Sequence, residues 1–147
     1  MSRERLCIIG AGAAGIVSAA QATELGIEYT IKEPSSEIGG VWNPTYGAIW
    51  KGIRTNLSKF RFGFSDHSWP EGTHTFPSGN EVWEYLQTYC EKHHIIEHIE
   101  FHTRVIGVSK NTDGKYEIKS QNVCGTTTEL FDFVIVASGM YNKPYIP

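Results

Sequence analysis

The sequence predicts an α/β fold: a parallel sheet opened by a β-α-β unit, with an antiparallel β-meander inserted before the last strand. Three observations predict it. A short apolar run ends on a glycine cluster, then passes into an alanine-rich helical stretch and a second strand-like run. A later stretch of β-prone residues carries an Asp-Gly turn between its first two runs, as hairpins favour. The closing run Phe133 to Ala137 is all apolar, the composition of a strand buried on both faces of a parallel sheet.

Taken in order, Leu6 to Ile9 is the first strand and Ala14 to Leu25 the first helix, with Gly26 in the C-terminal stop position. Glu28 to Lys32, with β-branched Thr30 and Ile31, is the second strand, and a unit of this kind pairs its strands in parallel through a right-handed crossover. Residues 35–77 carry nine glycines and prolines and three of the four tryptophans, without clear periodicity. A segment so long and irregular is uncommon unless it has a function. Ser78 and Glu81 have capping-box spacing, and Val82, Leu86, Tyr89 and Ile96 fall near one helical face. Ile99 to Thr103 reads as a strand. Arg104 to Lys110, Tyr116 to Gln121 and Thr126 to Leu130 form the meander, its first turn being Asn111-Thr112-Asp113-Gly114.

The 147 residues fit one domain, 1–147, with no internal repeat or linker. A net charge of -3 and a pI near 6.1 give no electrostatic case for nucleic acid or an anionic membrane. No apolar run approaches the roughly 20 residues needed to span a bilayer, and no signal peptide is recognisable. Cys7, Cys90 and Cys124 are odd in number and far apart, so neither a disulfide framework nor a zinc site is expected. A reducing, cytoplasmic setting follows as the default.

The glycine cluster is Gly10-Ala11-Gly12-Ala13-Ala14-Gly15, and Glu33 lies eighteen residues beyond its last glycine. A lone GxGxxG is weak; following a strand and opening a helix, it reads as a dinucleotide cradle. Gly10 permits the tight turn, Gly12 lets backbone approach a pyrophosphate, and Gly15 lets the helix pack against the strands. The helix N-terminus offers unpaired N–H groups to phosphates. Glu33 is suited to a ribose diol and repels a 2′-phosphate, so the site suits FAD or NAD. Gly39 and Gly40, just past this carboxylate, let the backbone run beside a longer cofactor, which favours FAD and a Rossmann-like FAD-binding sheet.

Beyond the glycine loop, "EIGGVW" (37–42), "RTNLSK" (54–59), "FSDHSWP" (64–70), Phe76-Pro77 and the closing "DFVIVASGMYNKPYIP" follow one another in the order found in the flavin-containing monooxygenases. The sequence resembles the N-terminal part of that family across essentially its whole length. The resemblance implies a class B flavoprotein monooxygenase: FAD reduced by NADPH, O2 captured as a flavin C4a-hydroperoxide, and one oxygen delivered to a soft nitrogen or sulfur nucleophile of a small molecule. It implies that Gly10, Gly12, Ala13, Ala14 and Gly15 hold the FAD pyrophosphate, Glu33 the adenosine ribose, and that Gly40, Val41 and Trp42 lie along the cofactor. It further implies that Asn56 stands beside the flavin ring as the catalytic amide and that Val105 presents backbone to the adenine. By the same resemblance, Ser138-Gly139, where the family commonly has Thr-Gly, would approach the cofactor at a strand end.

The family also uses a second glycine-rich unit for NADPH and a C-terminal return to the FAD domain, and neither occurs in these 147 residues. The expectation is therefore an FAD-binding portion, inactive alone, whose uncovered apolar surface favours self-association. The rival reading is a non-catalytic FAD- or ADP-binding or interaction module. A flavin-disulfide-reductase relative is disfavoured, because no CxxxxC follows the Gly-Gly segment.

Other constellations carry less. His94, His98 and His102 would align only on a continuous helix, and the expected strand from Ile99 breaks it, so no metal is expected. Asp66 and His67 are adjacent and face apart, so Asp66 is read as a turn residue. Trp42, Trp50, Phe60, Phe62, Phe64 and Trp69 are either core under the long loop or pocket walls.

Overall fold

The computed structural model describes residues 4–141. A four-stranded parallel sheet has the order β3-β2-β1-β7, formed by Arg5–Ile9 (β1), Glu28–Lys32 (β2), Ile99–Glu100 (β3) and Phe133–Val136 (β7). A separate antiparallel sheet has the order β4-β5-β6, from Arg104–Lys110, Tyr116–Asn122 and Gly125–Phe131. Among the described residues the α-helices are α1 (Ala13–Glu24) and α2 (Gly79–Lys92).

The two-residue period of β1 explains the layering. Leu6 and Ile8 point to the side where Ile16, Ala19 and Ala20 of α1 and Val82, Leu86 and Tyr89 of α2 form the larger core. Cys7 points the other way, into a smaller core with Ile118 and Phe131 of the meander. The parallel sheet is thus sandwiched between helices and meander.

Local chemistry sets the boundaries. α1 ends where Gly26 turns to φ 67°, its N–H donating to Thr23 O and that of Ile27 to Ala22 O, so the stop expected at Gly26 is present. The Ser78–Glu81 capping box opens α2. In the first meander turn, Asn111 Oδ1 accepts from the N–H groups of Asp113 and Lys115 while Gly114 adopts φ 83°.

Three expectations need correction. The strand expected over Ile99 to Thr103 stops at Glu100, because His102 turns left-handed (φ 52°) and the N–H groups of His102 and Thr103 donate to the carbonyls of Ser35 and Glu33. β7 is not buried on both faces. It lies at the sheet edge, with Phe133 and Val136 48% and 68% exposed. Ile96 is not on the apolar face of α2, which ends at Lys92; the chain turns at His94 (φ 53°) and buries Ile95 instead. Between β2 and α2 the only regular element is a short 3-10 turn at Gly40–Trp42. Among the described residues no helix is long and apolar enough to cross a membrane.

Candidate functional site

The C-terminal ends of β1, β2 and β7 converge on the glycine loop, the position at which parallel α/β sheets bind ligands. Gly10 sits against β7: a Cβ there would stand 2.7 Å from Ala137 O, and its φ is 103°. Gly15 is equally constrained, since a Cβ would meet Gly10 O at 1.9 Å. Those two glycines are required by packing alone. Gly12 differs, because a Cβ there would meet only Gly40 Cα, at an ordinary 3.7 Å. Its side of the loop is open.

α1 starts at this loop. Its first bond runs from Ile16 N–H to Gly12 O at 3.0 Å, and no side chain caps it and no acid occupies its first turn. The preceding N–H groups, including those of Ala13, Ala14 and Gly15, have no carbonyl a turn back within the helix. Together with the helix dipole they form an anion-binding end.

The second glycine pair closes against the first. Gly39 N–H donates to Ala11 O at 2.9 Å, and Gly40 adopts φ 54°, where a Cβ would come within 3.0 Å of Gly12 Cα. Val41 and Trp42 follow directly in the 3-10 turn, Val41 exposed and Trp42 packed on the larger core.

Glu33, 8% exposed, does more than the sequence suggests. Its Oε2 accepts from Ala11 N–H at 2.7 Å, while Oε1 accepts from the N–H (2.9 Å) and hydroxyl (2.6 Å) of Ser35. The carboxylate therefore tethers the glycine loop to the end of β2.

Asn56 is exposed in a bend of the long segment, and its side chain has no hydrogen-bond partner among the described residues. The turn is made instead by its neighbour. Thr55 is buried, donates its N–H to Pro77 O and its hydroxyl to Leu57 O, and so displays Asn56 outward. Ser138 and Gly139 are exposed just past β7, with Ser138 Cα 3.5 Å from where a Cβ on Gly10 would stand. Val105 sits at the start of β4 with its side chain packed on the smaller core, just before a bulge between Val105 and Gly107.

Sequence reasoning missed the residues that hold this arrangement. Asn43, fully buried, bonds Glu37 and Ile38 O and accepts from the N–H groups of Thr45 and Tyr46. The Asn-Pro dipeptide at 43–44 was its available signal. Lys32, also fully buried, bridges Glu100 of β3 and Glu129 of β6. Nothing local announces that pair.

Asp66 pairs with His93 at 2.8 Å and with Lys92, while His67 bonds Thr88, so Asp66 and His67 do not act together. Burial opposes it, but hydrogen bonds from its own backbone and from His93 hold the Asp66 carboxyl below its ordinary range. Glu24, Asp66 and His93 bring ligand atoms within 4.8 Å of one another, a grouping that none of the three histidines weighed from sequence belongs to. Of the aromatic residues, Trp42, Phe62, Phe64 and Trp69 share one cavity, whereas Trp50 and Phe60 are exposed outside it.

Comparison with known proteins gives a consistent set. The family model described as flavin-binding monooxygenase-like matches residues 3–147. Flavin-containing monooxygenase 5 of Rattus norvegicus is 31% identical over the whole chain, which covers 30% of that protein. Senecionine N-oxygenase of Tyria jacobaeae is 31% identical over 99% of the chain and 35% of its own length. Among solved structures, S-allyl-L-cysteine S-oxygenase from Allium sativum superposes with a TM-score of 0.90 at 30% identity, covering 99% of this chain and 38% of that one. OTEMO, solved in complex with FAD and NADP, shares the fold at a TM-score of 0.82 and 22% identity, over 100% of this chain and 28% of its own. The chain thus spans about a third of the length of the relatives it matches.

Proposed function

The chain belongs to the flavin-binding monooxygenase-like family, and from that premise we propose that it is the FAD-binding portion of an NADPH-dependent monooxygenase acting on soft nitrogen or sulfur nucleophiles. The observation that carries this reading is the approach of Gly12 to Gly40. Two glycine loops meet with bare backbone on the same side as the open end of α1, a cradle that any side chain at Gly12 would fill.

When bound, FAD supplies the redox chemistry: it takes a hydride from NADPH and activates O2, one oxygen atom going to the substrate and the other to water. The chain's own residues bind, orient and shield. The N–H groups of the Gly12–Gly15 turn hold the pyrophosphate, Glu33 accepts from the ribose, and Val105 offers its backbone to the adenine. Gly40, Val41 and Trp42 lie along the cofactor, with Ser138 and Gly139 at its other side. Asn56, whose amide has both donors and an acceptor to spare, orients water or substrate at the flavin. The homologous N-oxygenase and S-oxygenase support the substrate class, and three unpaired thiols fit a reducing, cytoplasmic setting.

The test is to mix the purified chain with FAD, desalt it, and record the visible spectrum. The expected result is flavin absorbance that travels with the protein and is lost in Gly12→Val, without NADPH oxidation by this chain alone. A protein that stays colourless and ignores ADP in calorimetry overturns the reading. Retention of FAD with no NADPH oxidation in a longer chain carrying the second nucleotide unit would favour a non-catalytic module.

A further inference from the structure

A cavity of about 210 Å3 lies between the N-terminus of α1, the long segment and α2. Its walls combine aromatic rings with the aliphatic side chains of Val82 and Leu86. Trp42 and Phe62 stand 5.7 Å apart between ring centroids, and Trp69 stacks on Tyr85 at 4.0 Å and 19°. An apolar cavity of about 150 Å3 is enough to hold a benzene ring, so this one takes a ring and a substituent.

The polar groups around it are unequal. The Trp69 indole N–H donates to Phe62 O, and the Tyr85 hydroxyl donates to His67 O while accepting from Phe64 N–H, so both are already used. The Arg61 guanidinium, at the exposed rim, has neither a carboxylate partner nor a hydrogen-bond acceptor among the described residues. The Trp42 indole N–H has no acceptor among them either. No carboxylate lines the cavity. The surrounding residues 38–65 hold Lys51, Arg54, Lys59 and Arg61 and not one Asp or Glu, in a chain of net charge -3. What remains unused is donors and positive charge, beside apolar rings.

We propose that this cavity is a binding site for a small aromatic carboxylate, its ring among Trp42, Phe62, Trp69 and Tyr85 and its carboxylate on Arg61 at the rim. The cavity borders the proposed flavin site and shares Ala13 and Trp42 with it, while Asn56 is not among its walls. A planar carboxylate suits a guanidinium fork, and aromatic walls suit a flat ring. A cationic ligand would meet Arg61 as a like charge.

Calorimetric titration with sodium benzoate, benzylamine and benzyl alcohol tests it, with and without saturating FAD. Benzoate is expected to bind with a Kd of about 1 mM or tighter, in both conditions, and benzylamine at least about tenfold more weakly. Because Arg61 is exposed, Arg61→Gln should fold normally, weaken benzoate about tenfold and leave benzyl alcohol unchanged. Tryptophan indole N–H resonances in NMR spectra should shift with benzoate at the same midpoint. The proposal is overturned if benzoate does not bind, if benzylamine matches it, if Arg61→Gln binds it equally, or if FAD abolishes its binding.

Discussion

The carboxylate of Glu33 accepts a 2.7 Å hydrogen bond from the backbone N–H of Ala11, joining the end of β2 to the middle of the glycine loop. A carboxylate offers about four acceptor positions, and Ala11 and Ser35 fill three of them. A ribose hydroxyl would complete the set. Glu33→Gln keeps the shape but replaces an acceptor with a donor. It should cost about 1–2 kcal/mol in urea unfolding and weaken FAD about tenfold or more. Unchanged FAD affinity would remove Glu33 from the ribose.

The glycines of the loop should separate into two kinds. Gly15→Ala drives a Cβ to 1.9 Å from Gly10 O, so backbone must move, and about 3 kcal/mol of stability should be lost. Gly12→Ala has an ordinary contact and an ordinary φ of -79°. It should stay within about 1 kcal/mol of the parent yet bind FAD at least about tenfold more weakly. Thermal melts paired with FAD titration read both. Equal stability loss in the two variants would defeat the distinction.

What was legible in the sequence was local. The strand, glycine loop and helix at Leu6 to Leu25, the stop at Gly26 and the capping box at Ser78 each follow from residues within a few positions of one another. What was not legible depends on distant partners. An apolar run such as Phe133 to Val136 looks alike at the centre or edge of a sheet, and only strand order places it at the edge. The end of β3 is fixed by Ser35 and Glu33 carbonyls, far back in the chain, which capture the N–H groups of His102 and Thr103. In the same way, the Glu33 spacing pointed to a ribose, but its grip on Ala11 needed the loop folded back upon it.

Lys32 is fully buried, yet its ammonium meets Glu100 at 2.7 Å and also Glu129, tying the parallel sheet to the meander. Lys32→Met would leave the two carboxylates facing each other without a cation. Both glutamates are partly exposed and can turn toward water, so the expected loss is about 2 kcal/mol rather than the larger cost of a sealed site. Pairing Lys32→Met with Glu129→Gln should recover part of it. A double variant no more stable than the single would show that the two side chains are not coupled.

Thiol chemistry offers a check on both cores at once. Burial pushes the thiols of Cys7 and Cys90 up to about 12, whereas Cys124 is exposed in the β5–β6 turn. Since the thiolate is the reactive form, an aromatic disulfide reagent at pH 8 should consume one thiol quickly in the native protein. All three should react in urea. Rapid reaction of a second thiol in the native state would mean that Cys7 or Cys90 is not where the packing puts it.

Glu81 gives the clearest dependence on pH. Burial works to raise its carboxyl, but the N–H groups of Ser78 and His74 and the His74 ring outweigh it and hold it at about 2, below the ordinary 4.5. A carboxyl depressed on folding contributes stability above its unfolded value, and that contribution fades as pH falls toward the folded one. Glu81→Ala should therefore cost about 1 kcal/mol at pH 7, a cap-sized loss. The gap between parent and variant should narrow from pH 5 downward and close near pH 2. Urea unfolding of both proteins across that range reads the gap directly. A gap that stays constant with pH would assign the role of Glu81 to its packing, not to its charge at the start of α2.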